Sequence, residues 1–220
     1  MQNAFQRRLA RLLVGSHDAT LNRMVLAARY ARRFDAARRR VPHRFALYDL
    51  VGREVIGDRG FDYLEFGVYR GESIRYIASR YARPDARFWG FDSFEGLPVE
   101  WNVRNPKGTF DVGGRYPEIA DARVQFVKGW FDTTVPEFLK TYEPQEQLWI
   151  HIDADLYGST FQVLTFLNRH VRAGTVVMFD EIEDLENEFK ALCDFEAMSD
   201  KHLSLIAATA DCRQAAFICE

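Results

Sequence analysis

The sequence predicts an α/β fold. It comprises a mostly parallel, seven-stranded sheet with an antiparallel last strand, and an N-terminal helical cap. Three observations predict it. After Gly60, short apolar runs alternate with helical patterns, as in parallel strands joined by helical crossovers. At the end, runs 203–209 and 214–219 are joined by a short connection carrying Asp211, so the final strand returns as a hairpin. Between Phe61 and Arg75, the stretch FDYLEFGVYRGESIR reads as a buried strand, a turn from Gly67 to Gly71, and the start of a helix.

Strands are expected at 61–66, 86–91, 123–128, 147–152 and 174–179, with helices at about 71–82, 134–141, 158–170 and 184–199. The run TVPE from Thr134 to Glu137 reads as a capping box with proline in the first turn. Upstream, Phe5, Leu9, Leu12 and Leu13 make one helical stripe, and Leu21, Met24, Val25 and Ala28 a second, stopped by Pro42. A third stripe, Leu47, Tyr48, Val51 and Val55, ends near Gly57 and Gly60. Residues 1–57 are therefore expected to form a basic helical segment packed on a domain spanning 58–220, and to suit a homodimer contact. Ser93 to Asp121 carries Gly and Pro without periodicity, and its length suits a lid over a ligand.

Composition narrows the class. With 47% hydrophobic and 28% charged residues among 220, the chain is an ordinary globular protein. No apolar run is long enough to span a membrane. Cys193, Cys212 and Cys219 lack CxxC spacing, which argues against a disulfide framework or a cysteine zinc site and favours a reducing, cytoplasmic setting. Residues 1–44 hold eleven Arg and two acids, whereas the remainder holds 18 Lys and Arg against 30 acids. Such an arm is read as a solvated helix face packing on an acidic body. No aromatic stacking pattern accompanies it, so a nucleic-acid role has little support. An Arg-rich amphipathic start also resembles a transit peptide, but no cleavage signature follows.

The chemistry gathers at one edge. Glu65, Asp92, Asp153 and Asp180 each fall at or just after the carboxyl end of an expected strand, where open α/β sheets bind ligands. Gly67 and Gly71 let bare backbone approach a ligand. Asp92, 21 residues after Gly71, suits ribose hydroxyls, which fits either NAD or S-adenosylmethionine. The turn is not GxGxxG. Glu65 stands where it meets a cationic α-amino group, and the terminal hairpin favours a methyltransferase sheet over a dehydrogenase. If strands 147–152 and 174–179 are neighbours, Asp153, Asp180 and Glu181 converge on one hard divalent cation such as Mg²⁺. Asp155 then points into the same pocket as a general base, or else caps the next helix. His151 is a weaker candidate base, since a histidine inside a strand is more often a satisfied core residue.

Together YLEFGVYRGES, FDSFEGLP, KGWFDTT, HIDADLYGST and FDEI resemble the metal-dependent sugar O-methyltransferases of the macrocin O-methyltransferase (TylF) type, from about Phe45 onward. The resemblance implies a Rossmann-like class I methyltransferase fold using S-adenosylmethionine. It places Glu65, Gly67 and Gly71 at the methionine part, Asp92 and Ser93 at the ribose, and Gly129, Trp130 and Phe131 at the adenine. Asp153, Asp180 and Glu181 would hold Mg²⁺ or a similar ion, and Asp155 would serve as base. Glu181 stands where that family has an aspartate. The implied acceptor is a hydroxylated small molecule such as a sugar. Two alternatives stay open: an NAD-type oxidoreductase, and a non-catalytic binding module that works through its basic arm.

Overall fold

The computed structural model describes residues 19–34 and 39–220. The first helical stripe, and with it much of the expected dimer contact, lies outside the described residues. In chain order the elements are α1 (Ala19–Phe34), β1 (Arg40–Val41), α2 (Arg44–Val51), β2 (Phe61–Phe66), α3 (Glu72–Arg80), β3 (Arg87–Asp92), β4 (Val124–Lys128) and α4 (Phe131–Phe138). Next come β5 (Gln147–Ile152), α5 (Tyr157–Leu167), β6 (Val176–Phe179), α6 (Glu188–Met198), β7 (Leu203–Thr209) and β8 (Ala215–Cys219).

All the strands form one sheet in the order β1-β7-β8-β6-β5-β2-β3-β4. β8 is antiparallel to both β6 and β7, and every other pairing is parallel. The expected terminal hairpin is present. The sheet has eight strands rather than seven, because Arg40 and Val41 pair with Ala208 and Thr209. A two-residue strand has no periodicity by which the sequence could announce it.

Side-chain alternation along each strand divides the core in two. On one face Phe61, Tyr63, Phe88, Trp149 and Met178 pack under α2 and α3. On the other Leu64, Phe66, Phe91, Ile152 and Phe179 pack with α4, α5 and α6. Three local expectations shift. The buried face of α1 is Leu26 and Phe34 with Tyr30, not the stripe containing Met24 and Ala28, because Tyr30 stacks on Phe34 at 4.3 Å and both rings meet Phe189. The third helix stops at Val51 and passes into a π-turn over Gly52–Ile56. Finally, α4 begins three residues early, at Phe131. Thr134 therefore lies one turn inside it, its hydroxyl donating to the Trp130 carbonyl at 3.0 Å instead of capping the helix.

Backbone hydrogen bonding continues one residue beyond the strands and aligns the edge. Gly67 N–H donates to the Phe91 carbonyl, Asp153 N–H to Phe66 and Asp180 N–H to Ile152, at 2.9, 2.9 and 3.0 Å. The parallel register thus brings Gly67, Asp153 and Asp180 side by side.

Candidate active site

Above this edge lies a cavity of about 390 Å³. Gly67, Asp92, Ser93, Gly129 and Trp130 line it beside Asp153, Asp155, Asp180 and Glu181. With Phe131, which also lines it, ten of the sequence-expected residues therefore share one space. Gly71 and Glu65 do not line it.

The turn after β2 is held by its neighbours. Gly67 has φ +94°, and a Cβ there would sit 1.7 Å from the Asp153 carbonyl oxygen. Gly71 has φ +70° and packs against Pro117. Asp92 braces the turn: its Oδ2 accepts from the Val68 and Tyr69 N–H groups, both at 2.8 Å, and its Oδ1 from Phe94 N–H at 2.7 Å. The carboxylate is thus held at the cavity wall, with one lone pair of Oδ1 remaining for a ligand hydroxyl.

Glu65 follows strand parity. It shares the face of Phe61 and Tyr63 and pairs in register with His151. It is buried, accepts from the Tyr63 hydroxyl at 2.5 Å, and stands 3.7 Å from His151 Nδ1. The Tyr63 oxygen lies 2.6 Å from the same Nδ1, so an Nδ1–H donates to Tyr63 while Tyr63 donates to Glu65. His151 Nε2 lies 3.7 Å from Asp180 Oδ1. Burial opposes its protonation, yet Asp180 and Glu65 outweigh that and raise its pKa to about 9. His151 is consequently held between two buried acids that favour its protonated form, which weakens it as a base.

The acids crowd. Asp153, Asp155 and Glu181 each offer an oxygen, and these lie within 4.8 Å of one another. Asp180 adjoins them, with Oδ2 accepting from Gln214 Nε2 at 3.3 Å and lying 3.9 Å from Arg44 Nη1. Burial first, then the neighbouring carboxylates, pushes the Asp155 pKa up to about 7 and that of Glu181 up to about 8, and raises Asp153 as well. For Asp180 burial pulls upward, but His151, Arg44 and Gln214 hold it below the usual range.

Buried Asp180 Oδ1 and Glu181 Oε2 accept no hydrogen bond from any described residue. An all-carboxylate set with orphaned oxygens fits a hard divalent cation. Asp155 itself has φ +59°, and the Leu156 N–H donates back to the Ala154 carbonyl at 2.5 Å, closing a γ-turn around it. No side-chain cap bond forms at the start of α5, so the helix-cap reading of Asp155 is not realised. Instead, Asn187 Oδ1 accepts from Tyr157 N–H at 2.9 Å.

Raised carboxylate pKa values carry a sign for stability. Asp155 and Glu181 bind protons more tightly when folded than at their ordinary values of 3.8 and 4.5. Their favourable contribution is full below those values and is lost as pH rises through about 7 to 8. Without added divalent cation, Tm is expected to fall over this window and Asp155→Asn to flatten the fall. A wild-type Tm independent of pH, matched by the variant, would contradict the crowding.

Several lining residues had no sequence signal. Arg213, from the β7–β8 turn, donates to Glu181 Oε1 at 2.8 Å. Arg44 arrives from α2. The long segment after β3 forms one wall of the cavity through Leu97, Trp101 and Phe110, in keeping with the expected cover. Trp101 Nε1 donates to Asp184 Oδ2 at 2.9 Å, which ties that segment to the loop after β6.

Comparison with known proteins follows the same lines. A family model described as macrocin-O-methyltransferase (TylF) matches residues 33–212. The demethyldecarbamoylnovobiocin O-methyltransferase of Streptomyces niveus is 28% identical over 173 residues, covering 66% of this chain and 63% of that protein. The mycinamicin III 3''-O-methyltransferase of Micromonospora griseorubida is 30% identical over 144 residues, covering 54% of each. The chain thus spans between half and two thirds of the length of these relatives.

Among solved structures, the O-methyltransferase NovP superposes with a TM-score of 0.61 at 26% identity, covering 80% of this chain and 78% of that one. The calicheamicin methyltransferase CalS11 gives 0.66 at 24% identity, covering 96% and 90%. The fold is that of the class I methyltransferases. No helix among the described residues is long and apolar enough to cross a membrane. With the family model matched from residue 33 to residue 212, this chain belongs to the macrocin-O-methyltransferase (TylF) family.

Proposed function

We propose that the protein is an S-adenosylmethionine-dependent O-methyltransferase acting on a hydroxyl of a sugar or other diol-bearing small molecule. The observation that carries this reading is contact between two sites. The Gly67 turn, suited to the methyl donor, touches the Asp153 backbone with no room for a Cβ. Donor and acceptor would therefore meet in one cavity. The relatives, named for methyl transfer to novobiocin and mycinamicin precursors, support the same chemistry.

In this reading Gly67, Asp92 and Ser93 hold the donor's methionine and ribose parts, Gly71 closes the turn that carries Gly67 without lining the cavity, and Gly129 and Trp130 flank the adenine. Asp153, Asp180 and Glu181 would hold Mg²⁺ or a similar cation, which would supply Lewis acidity toward the acceptor hydroxyl. Asp155 removes the proton from the acceptor hydroxyl. The oxygen forms a bond to the sulfonium methyl carbon as the carbon–sulfur bond breaks. S-adenosylhomocysteine and a methyl ether leave, and Asp155 returns its proton to water. Holding both reactants in line within a shared cavity supplies much of the acceleration.

Calorimetric titration with S-adenosylhomocysteine, in Mg²⁺ and again in EDTA, tests the donor site. Binding in the micromolar range that survives EDTA is expected. Absence of binding in both conditions would remove the proposal. A methyl-transfer screen over nucleotide sugars and rhamnosides then identifies the acceptor.

A further inference from the structure

We propose that Glu188 is the positioning residue of the acid cluster, bridging the loops after β5 and β6 and thereby setting the site's affinity for a divalent cation. The proposal rests on the cation reading above. Glu188 is wholly buried, with 0% exposure. Its Oε1 accepts from the Ala154 N–H at 3.3 Å and its Oε2 from the Glu181 N–H at 2.9 Å. One carboxylate thus grips two main-chain donors, 34 and 7 residues away in sequence.

An acid in the first turn of a helix ordinarily serves the amides of its own helix. Glu188 opens α6, yet its side chain turns away to these two loops. Each gripped amide belongs to the acid cluster. Ala154 lies between Asp153 and Asp155, and its carbonyl closes the γ-turn that holds Asp155 in its left-handed conformation. Such a conformation persists only where the surroundings over-determine it. The Glu181 amide is the backbone of a cluster member itself. Spacing between the two loops, and hence between the oxygens of Asp153, Asp155 and Glu181, is fixed by the span of one carboxylate.

Glu188→Gln tests this at constant volume. An amide has one acceptor oxygen and one NH₂ donor, so either flip sets NH₂ against a backbone N–H and releases one loop. Mg²⁺ binding, read by calorimetry, is expected to weaken by about 10–100-fold. S-adenosylhomocysteine binding should hold, and excess Mg²⁺ should restore kcat. Amide exchange should quicken at Ala154 and Glu181 while β5 stays protected. Glu188→Asp keeps the carboxyl group but loses a methylene, so it reaches one loop only; it should weaken Mg²⁺ binding too and covers the case in which the Gln variant does not fold.

Wild-type Mg²⁺ affinity in both variants would overturn the proposal. So would parallel loss of Mg²⁺ and S-adenosylhomocysteine binding with faster exchange throughout the sheet, which would make Glu188 a general stabiliser. A wild-type protein that binds S-adenosylhomocysteine but no Mg²⁺ would overturn the cation reading and this proposal with it. Wild-type Mg²⁺ binding with unaltered variants would overturn this proposal alone.

Discussion

Asp155→Asn is expected to lower kcat by about 10²–10⁴-fold, the usual contribution of a positioned proton acceptor, with S-adenosylhomocysteine affinity and fold intact. The substitution is clean because the Asp155 backbone has φ +59°, a region where Asn is among the few residues accommodated without glycine's freedom. Shape is preserved and only proton affinity is lost. The side chain is 7% exposed, and burial followed by the Asp180 charge lifts its pKa to about 7. In the cation-free site its proton affinity is thus raised, the direction a proton acceptor needs near neutrality.

Donor-turn contacts made by Gly67 and Asp92 do not involve Asp155, so cofactor titration reads the two roles separately. One Asp155 oxygen also lies with one each of Asp153 and Glu181 inside 4.8 Å, which gives a second route to lost turnover. Raising Mg²⁺ separates the two routes. Turnover that stays low at saturating Mg²⁺ supports the base. Turnover restored by Mg²⁺ makes Asp155 a cation ligand, and full activity in the variant sinks both roles.

Much of this site is legible without coordinates because a parallel sheet exports its strand ends to one edge. Asp92, Asp153 and Asp180 could be placed together from strand boundaries alone, and the register confirms that placement. Glu65 shows what strand ends omit, namely parity. Residues 61, 63 and 65 share a face, and Phe61 and Tyr63 are its apolar members, so Glu65 is carried under α2 and α3 instead of into the cavity. That signal was present in the alternation.

For Glu188 no such signal exists. It is one of six acids from Asp180 to Glu188, and only tertiary structure shows that it is buried with Asp180 and Glu181 while the others are not. Arg213 and Arg44 likewise reach the cluster from a hairpin turn and from the basic arm, distant in sequence and adjacent through sheet order. The arm's own reading is simpler. Arg33 grips Glu196 with bonds of 2.9 and 2.8 Å and so packs on the acidic body, whereas Arg39 pairs with Glu54 inside the N-terminal segment at 2.6 and 2.8 Å. The proposed meeting of donor and acceptor in one cavity follows from the same topology, because β2 and β5 are sheet neighbours although two helices and two further strands lie between them in the chain.

Gly67→Ala should be the most damaging single-methyl change near the site. Its Cβ would lie 1.7 Å from the Asp153 carbonyl oxygen and 2.7 Å from the carbonyl carbon, both backbone atoms with no rotamer to yield. The backbone is also at φ +94°, outside the region open to alanine. Overpacking and backbone strain each cost about 1–3 kcal/mol, and about 3 kcal/mol in a domain of this size lowers Tm by roughly 6–12 °C. The only relief is separation of the β2 turn from the β5 loop, which moves the donor cradle and Asp153 together. S-adenosylhomocysteine and Mg²⁺ binding should therefore both weaken, unlike in the Glu188 variants. Gly158→Ala is the control: nothing lies within 4 Å of its added Cβ and it sits in the first turn of α5. By helix propensity it should raise stability by about 0.5–1 kcal/mol. If Gly67→Ala melts with the wild type and binds both ligands normally, the turn and the acid loop are not in the contact on which the shared cavity depends.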